Sequence, residues 1–189
     1  MPRRKRVSDA DLLDALRPTV LAEGPDGVTL PQLAEIAGLS PATLLQRFGS
    51  KVELIEAVID RHTASIVAQL DRPRSPTEDP RLELARWLAT LTAGTGDRRV
   101  LVGSFQILAR DMTVPARNRK ARRYLKAVRT EITSALERCG ASRARASALA
   151  PLVEAHWHGL VIQWGLGGRG SLTAWVKRGV AELLSELVP

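Results

Sequence analysis

Apolar residues recur along this chain at spacings of three and four. No stretch alternates convincingly with period two, so the pattern predicts helices throughout. The first helix opens at Ser8, with Asp11 three residues on as an acidic capping partner. It carries Leu12, Leu13, Leu16, Val20 and Leu21 on one face. Pro18 falls inside that pattern and predicts a kink or split near Leu16, because proline has no N–H to donate and its ring crowds the preceding turn. Gly24-Pro25-Asp26-Gly27 reads as a loop. Thr29 and Gln32 form a capping box for a second, short helix that Gly38 ends. Ser40 caps a third, with Pro41 at its first position and Gly49 after its last. Ser50 and Glu53 begin a long helix over residues 51–70, striped by Leu54, Ile55, Val58, Ile59, His62 and Ile66.

The run RPRSPTEDP at 72–80 interrupts the periodicity and reads as a linker, which divides the chain into domains at 1–70 and 71–189. Helices are then expected over about 80–92, 97–112, 115–140, 142–166 (with a kink at Pro151) and 171–188. The fold class is all-α: an N-terminal three-helix domain, then a larger helical one.

The second and third helices are the informative pair. A small residue at Ala34, Gly38 four residues later, and a polar cap opening the next helix make the pattern of a helix-turn-helix, which places its second helix in the major groove of DNA. On that second helix Ala42 and Thr43 are small enough to meet a thymine methyl. Gln46 can read adenine through N6 and N7, and Arg47 can bond guanine or a phosphate. Thr29, Ser40 and Lys51 fall where phosphates would be held and register set. Arg3, Arg4, Lys5 and Arg6 form a basic arm suited to following phosphates or entering a minor groove.

Charge adds less than it promises. The chain of 189 residues carries +8 with a pI near 10.7, which suits a polyanionic partner. Residues 1–51, however, hold seven basic and six acidic side chains, a net of only about +1. Much of the excess lies on Arg117, Arg119, Lys120, Arg122, Arg123, Lys126 and Arg129, spread round a helix as a solvated face would be. The DNA assignment therefore rests on the motif. The competing reading is a helical interaction module whose basic helix meets anionic membrane or RNA.

Other classes find little support. No Ser/His/Asp or Cys/His arrangement or glycine-rich phosphate loop is present, and an enzyme is not expected. His156 and His158 point to different sides of their helix, and Glu154 with His158 supplies only two ligands, so neither a metal nor a cofactor is expected. A single cysteine, Cys139, forms no internal disulfide. The basic N-terminus lacks the apolar region of a secretory signal, and no apolar run reaches membrane-spanning length, so a cytoplasmic protein without membrane association is expected.

Thr29, Leu33-Ala34, Ala37-Gly38-Leu39-Ser40, Thr43-Leu44 and Phe48-Gly49-Ser50-Lys51-Val52-Glu53-Leu54 resemble, in order and spacing, the TetR family of bacterial transcriptional regulators. The resemblance covers about the first sixty residues and is far more specific than a bare helix-turn-helix. It implies a dimeric DNA-binding regulator whose C-terminal domain holds an effector pocket and the dimer interface. At the position of Leu45 the family usually has a tyrosine that bonds a DNA phosphate, a contact leucine cannot make. Such a bond is worth about 0.5–1.5 kcal/mol.

In the larger domain, Trp87, Leu91, Phe105, Leu108, Tyr124 and Trp157 are the candidate pocket lining. A small hydrophobic or amphipathic effector follows from so much apolar surface with few acids nearby. The helix carrying Leu152, Val153, Trp157, Leu160, Val161, Ile162 and Trp164 is apolar nearly all round and must be covered on both sides. With the final helix, where Gly179 permits close approach, it predicts a homodimer through the last two helices. A ligand-responsive repressor on a palindromic double-stranded operator is the function that results.

Overall fold

A computed structural model describes residues 7–70, 79–92 and 94–188, with side chains omitted at 69 and 70. Every regular element among them is a helix: α1 (Asp9–Gly27), α2 (Leu30–Ala37), α3 (Pro41–Phe48), α4 (Lys51–Leu70), α5 (Pro80–Thr90), α6 (Arg98–Thr113), α7 (Pro115–Arg138), α8 (Arg143–Gly167) and α9 (Leu172–Leu187). The chain forms two compact units. One comprises residues 1–67 together with 99–109, the other 68–98 together with 110–189.

The first unit is built on α1. Ser8 caps it by accepting from the Asp11 N–H at 3.1 Å, and Leu12, Leu16 and Val20 descend its buried face to meet Leu33, Leu44, Leu54, Val58 and Ile59. Each buried leucine or isoleucine contributes on the order of 1.5–3 kcal/mol. The expected break at Pro18 does not occur there. Pro18 sits on the exposed side of a continuous helix, and the interruption comes at Gly24, whose φ of 75° and ψ of 167° belong to backbone open only to glycine. The supposed loop after it, Pro25 to Gly27, closes as a last helical turn.

That kink meets α6. A Cβ on Gly103 would lie 1.7 Å from the Leu21 carbonyl oxygen, and one on Gly24 would lie 1.5 Å from Gln106 Oε1. Residues 99–109 thus lie in backbone contact with the last turns of α1, and Ile107 packs on the same core. No pattern in the sequence assigns this segment to the N-terminal unit.

The second unit buries Leu84, Leu88, Val128, Ile132, Leu136, Val153, Leu160, Leu172, Val176, Val180 and Leu184. Asp79 caps α5, and Arg81 donates to the Val188 carbonyl at 3.1 Å, tying the start of α5 to the end of α9. The linker residues 71–78 lie outside the described residues. α8 continues through Pro151, the expected kink site. It ends where Arg98 donates to the carbonyl of Gly168 at 2.8 Å with its guanidinium 4.8 Å from the Trp164 ring centroid, so a cation and donor meet the negative end of the helix. The close α8–α9 approach falls at Gly179, where a Cβ would meet Leu160 Cδ2 at 2.5 Å. No described helix is long and apolar enough to cross a membrane.

Candidate nucleic-acid interface

Four capping residues shape the helix-turn-helix. Thr29 and Gln32 close their box reciprocally, side chain to backbone at 3.3 and 3.4 Å, and Gln32 also donates to Glu23 Oε1 at 2.7 Å. Gly38 takes the left-handed conformation (φ 63°, ψ 30°), and the next residue, Leu39, donates back to the Ala34 carbonyl at 3.0 Å. Ser40 then turns the chain into α3 by accepting from the Thr43 N–H at 3.1 Å. At the far end Ser50 accepts from Glu53 N–H at 3.1 Å and starts α4, with Lys51 as its first residue.

These caps decide what α3 can offer a ligand. Leu44 is fully buried and fixes the helix to the core, with Phe48 packed beside it. Ala42, Leu45 and Gln46, spaced as one turn of helix, are exposed together. Ser40 and Thr43 share a hydroxyl–hydroxyl bond of 2.8 Å, which uses one O–H and leaves the other for an outside acceptor. Pro41 has no N–H, and the N–H groups of Thr43 and Leu44 are bonded to Ser40. Among the described residues this leaves the Ala42 N–H at the positive end of the helix.

Arg47 is placed differently from its neighbours. Its Nε donates to Asp9 Oδ1 at 2.8 Å and its Nη2 to Asp9 Oδ1 and, at 3.0 Å, to the Val7 carbonyl, with the guanidinium 5.9 Å from the Phe48 ring. The side chain that the sequence assigns to guanine or phosphate thus clamps the start of α1 to the recognition helix. It holds in place the point from which the basic arm departs. Arg3, Arg4 and Arg6 themselves lie outside the described residues. Behind the motif, Asp14 accepts from Arg61 Nε at 2.9 Å, and this bond, more than any other influence, holds its carboxyl below the usual range.

In the second unit, Trp87, Leu91 and Trp157 are buried and Tyr124 is half-buried, its phenol pushed up to about 12 by burial first and by the Glu154 charge second. Phe105 and Leu108, 38% and 41% exposed, belong instead to the segment 99–109 of the first unit. Glu154 is buried and accepts from Arg129 Nε at 2.8 Å. Arg117 is buried too, donating to Asp111 at 2.7 Å, so Arg117 and Arg129, two of the eight cations of α7, pair with carboxylates of the same unit. Among the described residues no group of three His, Cys, Asp or Glu side chains could hold a metal ion.

Comparison with known proteins agrees with the motif. Residues 12–58, from the first core leucine of α1 to the middle of α4, match the sequence model of the bacterial regulatory proteins, tetR family. The HTH-type transcriptional regulator BetI of Brucella anthropi is 29% identical over 167 residues, covering 88% of this chain and 84% of BetI. The same fold occurs in a transcriptional regulator from Rhodococcus sp. (TM-score 0.72, 19% identity, 95% of this chain and 97% of that one). A regulator from Saccharomonospora viridis, solved in complex with choline, matches equally well (TM-score 0.72, 20% identity, 92% and 93% covered). The match spans the whole helix-turn-helix, and over this segment the chain is similar to the bacterial regulatory proteins of the tetR family.

Proposed function

We propose that this regulator is a ligand-responsive repressor that binds a palindromic operator as a homodimer, with 1–70 reading DNA and 71–189 serving effector binding and dimerisation. The observation that carries the dimer is a row of positions on α8. Leu152, Ala155, Gly159, Ile162 and Leu166 follow one another at spacings of three and four and face outward, with Leu152 at 59%, Ile162 at 47% and Leu166 at 85% exposure. A heptad-spaced apolar row on a helix whose opposite side is already core calls for a second apolar surface. The groove beside it, about 540 Å³, lies between α8 and α9, with Leu160, Trp175 and Leu183 on its walls together with the charged Arg178, Glu182 and Glu186. Two copies joined through these helices supply the missing cover.

DNA is then met by Thr29, Ser40, Ala42, Thr43, Gln46 and Lys51, with the arm residues Arg3, Arg4 and Arg6. The two recognition helices address successive major grooves about 34–36 Å apart. A small hydrophobic or amphipathic effector in the second unit, near Trp87, Leu91, Tyr124 and Trp157, favours a spacing that no longer fits, and operator occupancy falls by population shift. Two facts support an effector. The Saccharomonospora viridis relative holds choline. Among the described residues no acceptor meets the buried indole N–H of Trp157, a group that ordinarily has one.

The test is fluorescence anisotropy on DNA from upstream of the protein's own gene, against a scrambled duplex, over a salt series. Saturable binding with a preference of about a thousandfold, lost in Gln46→Ala and relieved by an effector, is the expected result. Equal, steeply salt-dependent binding to both duplexes refutes operator recognition. Ile162→Glu is expected to give monomers by analytical ultracentrifugation and to weaken operator binding in parallel; a stable Ile162→Glu dimer refutes the interface.

A further inference from the structure

The exposed row of α3 poses a chemical problem of its own. It consists of Ala42, Leu45 and Gln46, two apolar side chains and an amide, in a protein of net charge +8. Arg47, the one cation on the helix, has its guanidinium engaged by Asp9 and the Val7 carbonyl. A bidentate arginine on the O6 and N7 of guanine, the commonest specific contact in the major groove, is therefore not what this surface offers.

Leu45 stands at 39% exposure with its neighbour Leu44 wholly buried, so it contributes little to the core and leaves apolar surface where the helix would enter the groove. Leucine neither donates nor accepts, and a bare phosphate or base edge beside it would lose water without gaining a partner. The major groove contains one apolar group, the C5-methyl of thymine. An A·T pair presents that methyl beside the N6 and N7 of its adenine, which are the groups a glutamine amide bonds. Leu45 and Gln46 are adjacent on the same exposed row, with Ala42 one turn earlier.

Resting on the reading of α3 as the groove-entering helix, we propose that Leu45 is a specificity-determining residue. It reads the C5-methyl of a thymine in each half-site while Gln46 bonds a neighbouring adenine, so the contacted core of the half-site consists of A·T pairs. Leu45 thereby acts as a base reader at a position where the family's usual tyrosine holds the backbone.

The experiment begins with selection of tight-binding duplexes from a randomised pool by the purified full-length protein. Each thymine of the selected site is then replaced singly by uracil, which removes the methyl and leaves every hydrogen-bonding group in place. At one thymine per half-site, uracil is expected to weaken wild-type binding about three- to fivefold, the effect of removing one buried methyl. Leu45→Ala binds the thymine duplex more weakly by a similar factor and shows no further loss with uracil. Because Leu45 lies outside the core cluster, this variant keeps the wild-type circular dichroism, which shows that it folds. A 5-methylcytosine placed at the same position in a C·G pair restores part of the wild-type affinity and none of the variant's. If all thymine methyls are silent, or if Leu45→Ala remains as sensitive to uracil as the wild type, the inference is overturned while specific DNA binding stands. If selection yields no preferred duplex, the groove-reading assignment of α3 falls, and this inference with it.

Discussion

Gly103→Ala tests the least expected feature of the first unit. In the middle of a helix such as α6 this substitution ordinarily stabilises by roughly 1 kcal/mol, because alanine loses less backbone freedom on folding. Here the added Cβ would lie 1.7 Å from the Leu21 oxygen and 2.8 Å from its carbonyl carbon, both backbone atoms that no rotamer change can move. α6 must withdraw from α1 by more than an ångström, unpacking Ile107 from the core. Overpacking costs about 1–3 kcal/mol, and a backbone obstacle places this case at the upper end. The net loss is about 2 kcal/mol, or roughly 10 °C for a unit of this size. The assay can localise the effect, because all four tryptophans (Trp87, Trp157, Trp164 and Trp175) lie in the second unit. The far-ultraviolet circular dichroism transition should acquire an earlier phase while the tryptophan fluorescence midpoint stays put. An unchanged or higher dichroism midpoint would mean that α6 does not press on α1 in solution, and the docked 99–109 segment would have to be abandoned.

Three further outcomes follow from particular side chains. Asp9→Asn removes the anion that holds Arg47 and should free the guanidinium for phosphate, steepening the slope of log affinity against log salt by about one; an unchanged slope places Arg47 away from the DNA. Tyr124 is the sole tyrosine, so tyrosinate absorbance reports it alone, with an expected midpoint near 12 that falls in Glu154→Gln yet stays above 10, since burial is the larger cause. Because folding raises this pKa, the neutral phenol's contribution to stability is intact below pH 10 and is lost as pH rises towards 12; a titration midpoint near 10 in the wild type would refute the burial. On acidification the first unit should weaken in two stages. His62, whose pKa burial lowers, loses its contribution as pH falls below 6.5, and Asp14, lowered chiefly by Arg61, loses its own below 3.8. His62→Gln should remove the upper stage only, as read by dichroism against pH.

The contrast between what the sequence disclosed and what it withheld follows the range of the interactions involved. Four helix starts that rest on a residue bonding three positions on were legible: Ser8, Thr29, Ser40 and Ser50 each cap where their spacing implies, since a cap is a local contract between neighbours in the chain. The kink of α1 was misplaced for an equally local reason. Pro18 announces a missing hydrogen bond, but one lost bond on an exposed flank is tolerated, whereas the helix kinks only where a glycine can take φ 75°. The docking of 99–109 on α1 was invisible because its signature is a single glycine whose partner is a carbonyl 82 positions earlier, and a lone glycine in a helix looks the same whether it faces a backbone or water.

The same distinction governs the interface. The positions of Thr29 and Ser40 as caps, and of Ala42 and Gln46 on α3, were legible in the sequence because the motif fixes their register. The role of Arg47 was not, because it depends on Asp9 across 38 residues of chain. Its removal from the exposed row is the observation that changes the chemistry of that row. With the guanidinium tied to α1, what remains outward on α3 is an amide between apolar groups, and specificity must come from methyl contact and amide bonding in place of a fixed positive charge. On this account the cations of the arm supply affinity without sequence preference, and Ala42, Leu45 and Gln46 supply preference with little affinity of their own. Substitutions in the two groups should therefore separate cleanly: the arm changes the salt slope on every duplex, and the exposed row changes the ratio between duplexes at constant slope.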